Sequence, residues 1–405
     1  MTTPSGPIVF NANTGSDTQA SGLGPVVAVY GTGGSTTATS AVVSGIDTTG
    51  VNVGDLLWVQ SSSGRQFSVI ASIDSISQVT CDDVFDNTET VNWAIGGKRA
   101  TLDSASQLFD YNYSSGKSWE VDLDTDQIVA SHLGDASYGS RGVSVKIRPS
   151  SGRVKITNNN TVATYGSQIF FGGTWIIRDL DFESTATGSQ PFIAGSTSTA
   201  QRCEATFINC KAISQTNNFY SFANVSYPNY FIFLNCEFAH FQNVVLNNIS
   251  YVQYVDGCYF HDNPSYCIGN TSNVSAAYHI TNSIFDNNYG FAYAFGSLAS
   301  SIRGCVINNT SDVLLGTAYG GRWGFFMNNI FSNNNGTVHA NINSETSVFY
   351  NNVYYNNLNI DEFFGDTYNN TTITVDPFVN ASAGDFNLNN IIGGGATLKG
   401  IEYTL

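Results

Sequence analysis

The sequence predicts an all-β protein in which a small N-terminal β-sandwich or barrel precedes a parallel β-helix of about seven or more coils. Three observations support this fold class. Charged residues are scarce, short alternating apolar runs fill the first hundred residues, and a repeat with a period of about 24 residues begins near residue 171. No segment has the composition of a long amphipathic helix.

Composition and charge exclude several classes of function. Of the 405 residues, 42% are hydrophobic and 11% are charged, as in a folded chain whose polar groups are mostly amides and hydroxyls. The net charge of −16 argues against nucleic acid, because such binding depends on neutralising phosphates. No apolar run is long enough for a membrane helix, so no membrane insertion is expected. The opening MTTPSGPIVF lacks signal-peptide features, which favours synthesis in the cytoplasm.

Residues 1–100 are predicted to form the N-terminal β-module. Stretches rich in Gly, Ser and Thr, such as YGTGGSTTATS, are typical of loops. Around them stand the short runs DLLWVQ, QFSVIASI, QVTCDDVF and VNWAIGG, each about as long as one strand. Short strands bounded by Gly or Asp indicate a β-sandwich or barrel. Residues 101–170 show no repeat and are interpreted as a transition that caps the β-helix.

Residues 171–375 are predicted to form the parallel β-helix, because they repeat. An Asn or Gly, here called the anchor, recurs at intervals of 26, 22, 25, 22, 24 and 23 residues, at Asn209, Asn235, Gly257, Asn282, Gly304, Asn328 and Asn351. An apolar residue stands two positions before each anchor. Asn and Gly tolerate the left-handed backbone of a tight bend. A unit this short must stack on its neighbours to bury a core, with coils about 4.8 Å apart.

The position after each anchor is predicted to face the interior. It holds Cys210, Cys236, Cys258, Ser283, Cys305, Asn329 and Asn352. A metal site would not accept this mixture, so the cysteines are interpreted as interior spacers. Reduced thiols are favoured, and disulfides between stacked neighbours are the alternative, because the distance between coils would allow them. The sequence has no CxxC, HExxH, Walker or Rossmann pattern, and neither a metal nor a cofactor is predicted.

Segments such as FINCKAI, FLNCEF and VDGCYF resemble the right-handed parallel β-helix of pectate-lyase-like proteins and phage tailspikes. The resemblance spans roughly residues 171–375 and implies a fold without fixing an activity. The ending TVDPFVNASAGDFNLNN resembles segments that close such helices, so residues 376–405 are expected to end the last coil. The N-terminal module is similar to segments of structural proteins from uncultured phages. This similarity implies a virion surface protein, in the tail or capsid, whose N-terminal module contacts other virion proteins.

Candidate site residues lie among the side chains expected to face outward. Four and five positions after the anchors, the repeat places His240 beside Asp262 and His261 beside Asp286 in three successive coils. The sequence therefore predicts a small patch in which two histidines meet two carboxylates. The alternative is that Asp and Asn are ordinary bend residues and that the histidines among them are incidental.

Glu237 and Asp256 belong to the same coils as this patch. Paired carboxylates can hydrolyse a glycosidic bond, with Asp262 or Asp286 as the acid and Glu237 or Asp256 as the base. A polyuronate lyase is not expected, because the few basic residues of the repeat are scattered over different coils.

Aromatic and imidazole side chains near the bends suggest a surface for sugar rings, with ordinary packing as the alternative. The candidate glycan-binding residues are His240, His261, Tyr259, Tyr289 and Trp323. As a set, the aromatic side chains favour a neutral glycan over an anionic one.

An aliphatic stripe occupies the second position after four successive anchors, at Ile284, Val306, Ile330 and Val353. Such a stripe should not meet water. Either a C-terminal segment covers it or identical chains pack there. Because phage tailspikes bury such surfaces by assembling along the helix axis, the resemblance implies a homotrimer.

Together these expectations describe a tailspike-like phage protein that binds a host-surface polysaccharide, with or without cleaving it as a glycoside hydrolase. One alternative is a structural capsid decoration or fibre protein without a ligand, and another is a free polysaccharide hydrolase. An outward carboxylate pair beside an aromatic groove would favour cleavage. Grooves filled by the chain's own loops would favour decoration.

Overall fold

The structure of the chain, a computed structural model, describes residues 2–109, 116–130, 144–159, 169–170, 173–184, 193–194, 203–214, 222–224, 229–242, 244–247, 251–269, 276–292, 300–312, 324–336, 347–358 and 366–398. The chain divides into two compact units. The first comprises Met1–Glu183 and Ala200–Glu204, and the second comprises Ser184–Thr199 and Ala205–Leu405. No helix in the described part of the chain is long and apolar enough to cross a membrane.

The first unit contains a closed six-stranded barrel whose paired strands are antiparallel. Its strands, in order around the barrel, are Val29–Thr36, Val42–Ser44, Gln78–Cys81, Gly64–Ser75, Leu56–Ser61 and Glu89–Ile95. Alternate side chains fill the interior, among them Leu57, Val59 and Trp93. Of the two architectures predicted for the N-terminal module, the barrel is therefore present.

Parallel strands also occur in the first unit. Ile8–Phe10 pairs with Ser118–Leu123, which pairs with Ser144–Pro149, and this strand pairs with Gly173–Arg178. A second row contains Gln127–Val129, Val154–Asn158 and Leu180–Ser184, and the short strand Ile169–Phe170 and the 3-10 helix Asp103–Phe109 complete the unit. Parallel pairing thus begins before residue 171, where the sequence predicted the β-helix to start.

Two bends explain why the sequence did not show these earlier coils. Gly152 and Asp179 take the left-handed backbone of an anchor, with φ of 62° and 59°. No Cys or Asn follows either of them, so the pattern used to find the repeat does not include them.

The second unit is a parallel β-solenoid with three sheets. The first sheet contains Cys203–Ile208, Asn229–Leu234, Tyr251–Asp256, Ala276–Thr281, Ser300–Arg303, Gly324–Met327, Ser347–Tyr350 and Asp366–Tyr368. The second sheet contains Lys211–Ile213, Glu237–Ala239, Tyr259–His261, Ile284–Asp286, Val306–Asn308, Ile330–Ser332, Val353–Tyr355 and Thr371–Ile373. The third sheet contains Ile193–Ala194, Ala223–Asn224, Leu246–Asn247, Tyr266–Gly269 and Gly290–Ala292.

The solenoid has about five turns in the described part of the chain, which matches the five strands that the third sheet has within the second unit. The prediction of about seven or more coils is therefore too high. The first and second sheets continue for further strands, so the anchors recur more often than a full three-stranded turn does. The repeat in the sequence records one bend between two sheets, and it does not record the third side of the coil.

The predicted bends are confirmed at every anchor. All seven have positive φ, between 49° at Asn282 and 63° at Gly257. A second column of left-handed residues follows five positions later, from His240 and Asp262 to Asn356. Each short strand of the second sheet is thus enclosed by two tight bends, and this fixes which of its side chains face outward.

The interior columns also follow the predicted register. All seven residues after the anchors are buried, and the four cysteines among them are free thiols. Burial raises the pKa of Cys305 to about 12, so this thiol is inert at neutral pH. Amides form a ladder, in which Asn329 Nδ2 donates to Asn352 Oδ1 at 3.0 Å and Asn352 Nδ2 donates to Asn370 Oδ1 at 3.2 Å.

A C-terminal segment covers the aliphatic stripe. It comprises the antiparallel strands Phe378–Asn380 and Asp385–Leu388, the 3-10 helix Ala381–Ala383 and the short α-helix Gly395–Leu398. Its apolar side chains pack on the stripe, whose members Val306, Ile330 and Val353 are 0–1% exposed, while Ile284 is partly buried. Of the two explanations for the stripe, cover by a C-terminal segment is therefore the one present. These residues are not an open surface for subunit contact.

Candidate functional site

The predicted histidine–carboxylate patch lies where strands of the second sheet end. His261 pairs in register with Asp286, and Asp286 pairs with Asn308. Asp262 follows the first of these strands and has a left-handed backbone, with φ of 53°. Because adjacent strands of a parallel sheet are about 4.8 Å apart, the outward side chains of these positions form a continuous row.

This row forms one wall of a cleft of about 800 Å³. The C-terminal segment forms the other wall, from Asp376 and from Val379 to Gly384. On the solenoid side the cleft is lined by Tyr259, Asp262, Asp286, Asn287, Asn308, Asn309 and Asn333. We call it the carboxylate cleft. Two of the four predicted catalytic residues, Asp262 and Asp286, thus face the same space.

Asp286 is the more enclosed of the two carboxylates. Burial raises its pKa above the ordinary value, and the nearby charge of Asp262 acts in the same direction. Asn308 Nδ2 donates to Asp286 Oδ1 at 2.8 Å, which opposes this rise in pKa only in part. The oxygen of the same Asn308 amide accepts from Ser332 and Asn333, so the amide is held with its donor towards Asp286.

Asp262 has the opposite electrostatic character. Burial would raise the pKa of Asp262, but hydrogen bonds from His261 and Asn287 outweigh it and hold the pKa below the ordinary value. His261 Nδ1 lies 2.7 Å from Asp262 Oδ2, and Asn287 Nδ2 donates to Asp262 Oδ1 at 2.5 Å. Asp262 is therefore ionised where Asp286 is more readily protonated.

His261 lies between two carboxylates. Its Nε2 atom is 3.1 Å from Glu237 Oε1, and its Nδ1 atom faces Asp262. Lys211 Nζ also contacts Glu237 Oε1, at 2.8 Å. Burial would raise the pKa of Glu237, but the bonds from Lys211 and His261 lower it. Glu237 does not line the carboxylate cleft, so its position suits it to orient His261 and does not suit it to act as the base predicted from sequence.

Asp256 lies apart from this patch. It is on the outer face of the first sheet, where its Oδ1 atom accepts from Thr281 Oγ1 at 2.6 Å and from Asn282 Nδ2 at 2.9 Å. It lines a different cleft. The sequence placed it in the same coils, which is correct, but a side chain one position before the bend is on another sheet from one four or five positions after it.

The predicted glycan-binding residues are dispersed. Tyr259 lines the carboxylate cleft and stacks on His261, with ring centroids 4.4 Å apart. Burial, together with Asp286 and Asp262, raises the pKa of Tyr259 to about 12, so its hydroxyl keeps its proton. The His240 ring is exposed and lies 6.2 Å from the His261 ring.

Tyr289 and Trp323 do not add to this cleft. Tyr289 is 44% exposed and packs against Tyr266, whose hydroxyl donates to Asp312 at 2.8 Å, and none of these residues lines the carboxylate cleft. Trp323 lies outside the described residues.

Two features of the site were not found from the sequence. Asn308 was not among the candidate site residues, although its position level with Asp286 in the repeat could have identified it. The wall formed by residues 379–384 carries no repeat, so no periodicity could place it against the second sheet. In the described part of the chain, no group of three His, Cys, Asp or Glu side chains is arranged to hold a metal ion.

No known protein family and no curated protein matches the chain. Among solved structures, it is similar to a rhamnogalacturonan lyase, with a TM-score of 0.46, 12% identity, and coverage of 70% of this chain and 86% of that one. It is also similar to the catalytic domain of a GH87 alpha-1,3-glucanase in complex with nigerose, with a TM-score of 0.30, 11% identity, and coverage of 86% and 92%. Both names denote enzymes that act on polysaccharides. The fold assignment rests on the strand pairing described above.

Proposed function

We propose that the chain binds a polysaccharide in the carboxylate cleft and hydrolyses its glycosidic bonds. One observation carries this proposal: Asp262 and Asp286 project from adjacent coils into one cleft, and their surroundings shift their pKa values in opposite directions. Two carboxyl groups with separated pKa values, facing one space, are what acid–base cleavage of an acetal requires.

The opposite pKa shifts of the two carboxyl groups assign their catalytic roles. Asp286, with the raised pKa, is the general acid that protonates the oxygen of the leaving sugar. Asp262, with the lowered pKa, is the ionised group on the other side of the reacting carbon. Asp262 follows His261, the register partner of Asp286 in the adjacent coil, and adjacent strands are about 4.8 Å apart. Retaining enzymes hold their two carboxyl groups about 5–5.5 Å apart, so a retaining mechanism is part of the proposal.

In the first step the bond between the anomeric carbon and the leaving oxygen breaks. That oxygen takes the proton of Asp286, while an oxygen of Asp262 bonds to the anomeric carbon. In the second step the Asp286 carboxylate takes a proton from water, the water oxygen bonds to the anomeric carbon, and Asp262 is released as a carboxylate. Both residues end in their starting protonation states.

His261 and Glu237 are positioning residues in this proposal. Both ring nitrogens of His261 face carboxylate oxygens. The contact with His261 holds Asp262 in place and favours its ionised form. Glu237 orients the ring from the far side.

A lyase that removes a proton from a uronate is not supported. Such an enzyme needs cations beside the sugar carboxylate. The described residues that line the carboxylate cleft are Tyr, Asp, Asn, Ser, Ala, Val and Gly, with no Lys or Arg among them. The lining suits hydroxyl groups, which amides and carboxylates bind by hydrogen bonds.

The proposed setting is the surface of a phage particle, with a host-surface polysaccharide as the ligand and other virion proteins bound through the N-terminal module. Support for this setting comes from the sequence resemblance to tailspikes and phage structural proteins. A homotrimer is part of the same proposal, and it would need a surface other than the covered stripe. Light scattering at micromolar concentration tests it, and a monomer would contradict it.

The test of function is depolymerisation. Purified protein is incubated with extracted host-surface polysaccharide, and polymer size is followed by chromatography. The Asp262→Asn, Asp286→Asn double variant is compared with Asp256→Asn, which makes the same chemical change on another sheet. Shortening by the wild type and by Asp256→Asn, but not by the double variant, supports the proposal.

Two other outcomes would overturn the assignment. Shortening that survives the double variant would keep the enzyme but move its site. No shortening by the wild type would leave binding or a purely structural role, and retention of polysaccharide on immobilised protein would separate these two. The open volume of the carboxylate cleft favours a ligand over structural decoration, because the C-terminal segment forms its wall without filling it.

A further inference from the structure

A second cleft lies on the outer face of the first sheet. It has a volume of about 700 Å³ and is lined mainly by outward positions of five neighbouring strands, including Ile232, Tyr254, Asp256, His279, Thr281, Ser301, Arg303 and Phe325. Register explains the grouping, because Ile232, Tyr254, His279, Ser301 and Phe325 are successive partners across the strands. We call it the first-sheet cleft. The proposed hydrolysis uses none of these residues.

Two aromatic side chains in this cleft are exposed. Tyr254 is 49% exposed and Phe325 is 36% exposed, whereas the neighbouring inward positions Val255 and Phe326 are buried. Tyr254 stacks on His279, with ring centroids 5.1 Å apart and an interplanar angle of 21°. Exposed ring faces on a rigid sheet are suited to stack against the apolar faces of sugar rings.

Arg303 gives the first-sheet cleft its charge. In the described part of the chain, nine other Lys and Arg side chains form ion pairs with carboxylates. Arg303 is exposed and has no carboxylate of the described residues within 4.0 Å of its guanidinium nitrogens. Of the described Lys and Arg side chains, Arg65 also lacks such a carboxylate, but it is only partly exposed, whereas Arg303 is exposed. A guanidinium offers paired donors that match the two oxygens of a carboxylate.

The other polar groups of the cleft do not replace this charge. His279 Nδ1 lies 2.9 Å from Ser301 Oγ, and burial together with the charge of Arg303 lowers the pKa of His279, which favours a neutral ring. Asp256 already accepts hydrogen bonds from Thr281 and Asn282. The positive charge available to a ligand is therefore that of Arg303.

We propose that the first-sheet cleft is a second, non-catalytic saccharide site that binds a sugar bearing a carboxylate. Arg303 binds the carboxylate, and Tyr254 and Phe325 pack against the sugar ring and its neighbour. The net charge of the chain acts against long polyanions. The ligand class that fits both facts is an oligosaccharide in which one acidic sugar stands among neutral ones. This proposal does not depend on cleavage at the carboxylate cleft.

The experiment is calorimetric titration of the full chain with an oligosaccharide of neutral sugars that ends in one glucuronic acid. The matched probe is the same oligosaccharide with its carboxylate methyl-esterified. We expect the acid form to bind the wild type more tightly, and Arg303→Gln to weaken that binding by roughly ten- to a hundredfold, as for loss of a hydrogen bond to a charged group. Phe325→Ala should weaken both forms by a similar factor.

Controls separate this site from the carboxylate cleft. Asp262→Asn should leave the preference for the acid form over the ester unchanged, and Arg303→Gln should leave any depolymerisation rate on a neutral polymer unchanged. Because Arg303 is exposed, its replacement should not alter the circular dichroism spectrum. Equal binding of the two probes, full affinity in Arg303→Gln, loss of the preference for the acid form in Asp262→Asn, or no binding of the acid form by a folded wild type would each overturn the proposal.

Discussion

The backbone N–H of Asp262 donates to the carbonyl oxygen of Asp286 at 3.2 Å. This bond joins the end of one second-sheet strand to the end of the next, so the spacing of the two carboxylates is set by the backbone of the solenoid. A site held in this way needs no flexible loop to bring its acid and base together.

Single replacements should separate the two roles. Asp286→Asn should slow cleavage of the polysaccharide by about 10²–10⁴-fold, the range for loss of general acid catalysis. It should affect an aryl glycoside with an acidic leaving group much less, because such a group departs without a proton. Asp262→Asn should slow both substrates. The measurement is kcat on each substrate, and equal losses for Asp286→Asn on the two would contradict its role.

Hydrolysis should retain the configuration of the anomeric carbon, because the two carboxylates come from adjacent coils and retaining enzymes hold their carboxyl groups closer together than inverting enzymes do. Proton NMR of the first product, recorded before mutarotation, reports the configuration directly. Release of the opposite anomer would mean that the reacting carboxylates are further apart than adjacent coils.

Activity should follow a bell-shaped pH profile with an acidic optimum. The active form has Asp262 ionised and Asp286 protonated, so activity falls below the lowered pKa of Asp262 and above the raised pKa of Asp286. Asn308→Ala removes a hydrogen bond that lowers the pKa of Asp286. It should therefore move the alkaline limb to higher pH, and an unchanged alkaline limb would exclude Asp286 as the group responsible.

Asp286 should lower the stability of the folded protein at neutral pH, although the proposed reaction needs it. Because the folded-state pKa of Asp286 lies above its unfolded value, its contribution to stability is present below the unfolded pKa and is lost as pH rises through the folded pKa. Asp286→Asn should then raise the melting temperature at neutral pH and leave it little changed at acidic pH. A variant less stable than the wild type at neutral pH would contradict this reading.

Breaking the buried amide ladder should destabilise the folded protein. Asn352 Nδ2 donates to the carbonyl of Phe326 at 2.9 Å, and Asn352 Oδ1 accepts from the backbone and the side chain of Asn329, both at 3.0 Å. Asn352→Ala leaves these groups buried without partners, which should lower the free energy of unfolding by about 3 kcal/mol. Asn387→Ala removes an exposed amide and should change it by less than about 0.5 kcal/mol. Chemical denaturation measures both.

The C-terminal cover should be needed for solubility. Phe386 is buried in the cluster that covers the aliphatic stripe and packs edge-on against Phe378 at 5.2 Å. Phe386→Asp should loosen the segment, expose Val306, Ile330 and Val353, and raise self-association in light scattering. Asp385→Asn, one position away at a partly exposed site, is the matched control. No change in self-association would show that the cover is held mainly by other contacts.

The sequence predicted the parts of the fold that repeat. The anchors, the interior cysteines and the pairing of His261 with Asp286 were predicted from spacing alone, because each coil repeats the same bend and the same burial. Coil number was overestimated, because the spacing detects one bend and is silent on the third sheet. The earlier coils at Gly152 and Asp179 were missed because their bends use the same backbone with different neighbours in sequence.

Prediction of the site was limited by a different cause. Asp262 and Asp286 were identified, but Asp256 was grouped with them because spacing gives the coil and not the side of the coil. Glu237 contacts Lys211 of the preceding coil and His261 of the next one, and it does not line the carboxylate cleft. Spacing alone does not reveal these contacts. The C-terminal wall depended on where a non-repeating segment folds back, and only its apolar residues hinted at that.

The wall of the carboxylate cleft comes from residues 379–384, although the carboxylates themselves are about a hundred residues earlier in the chain. A ribosome must therefore synthesise the chain past residue 384 before the cleft can exist. Fragments that stop before residue 379 carry both acidic residues and yet have no enclosed place for a substrate. Translation through this segment is therefore a condition for binding.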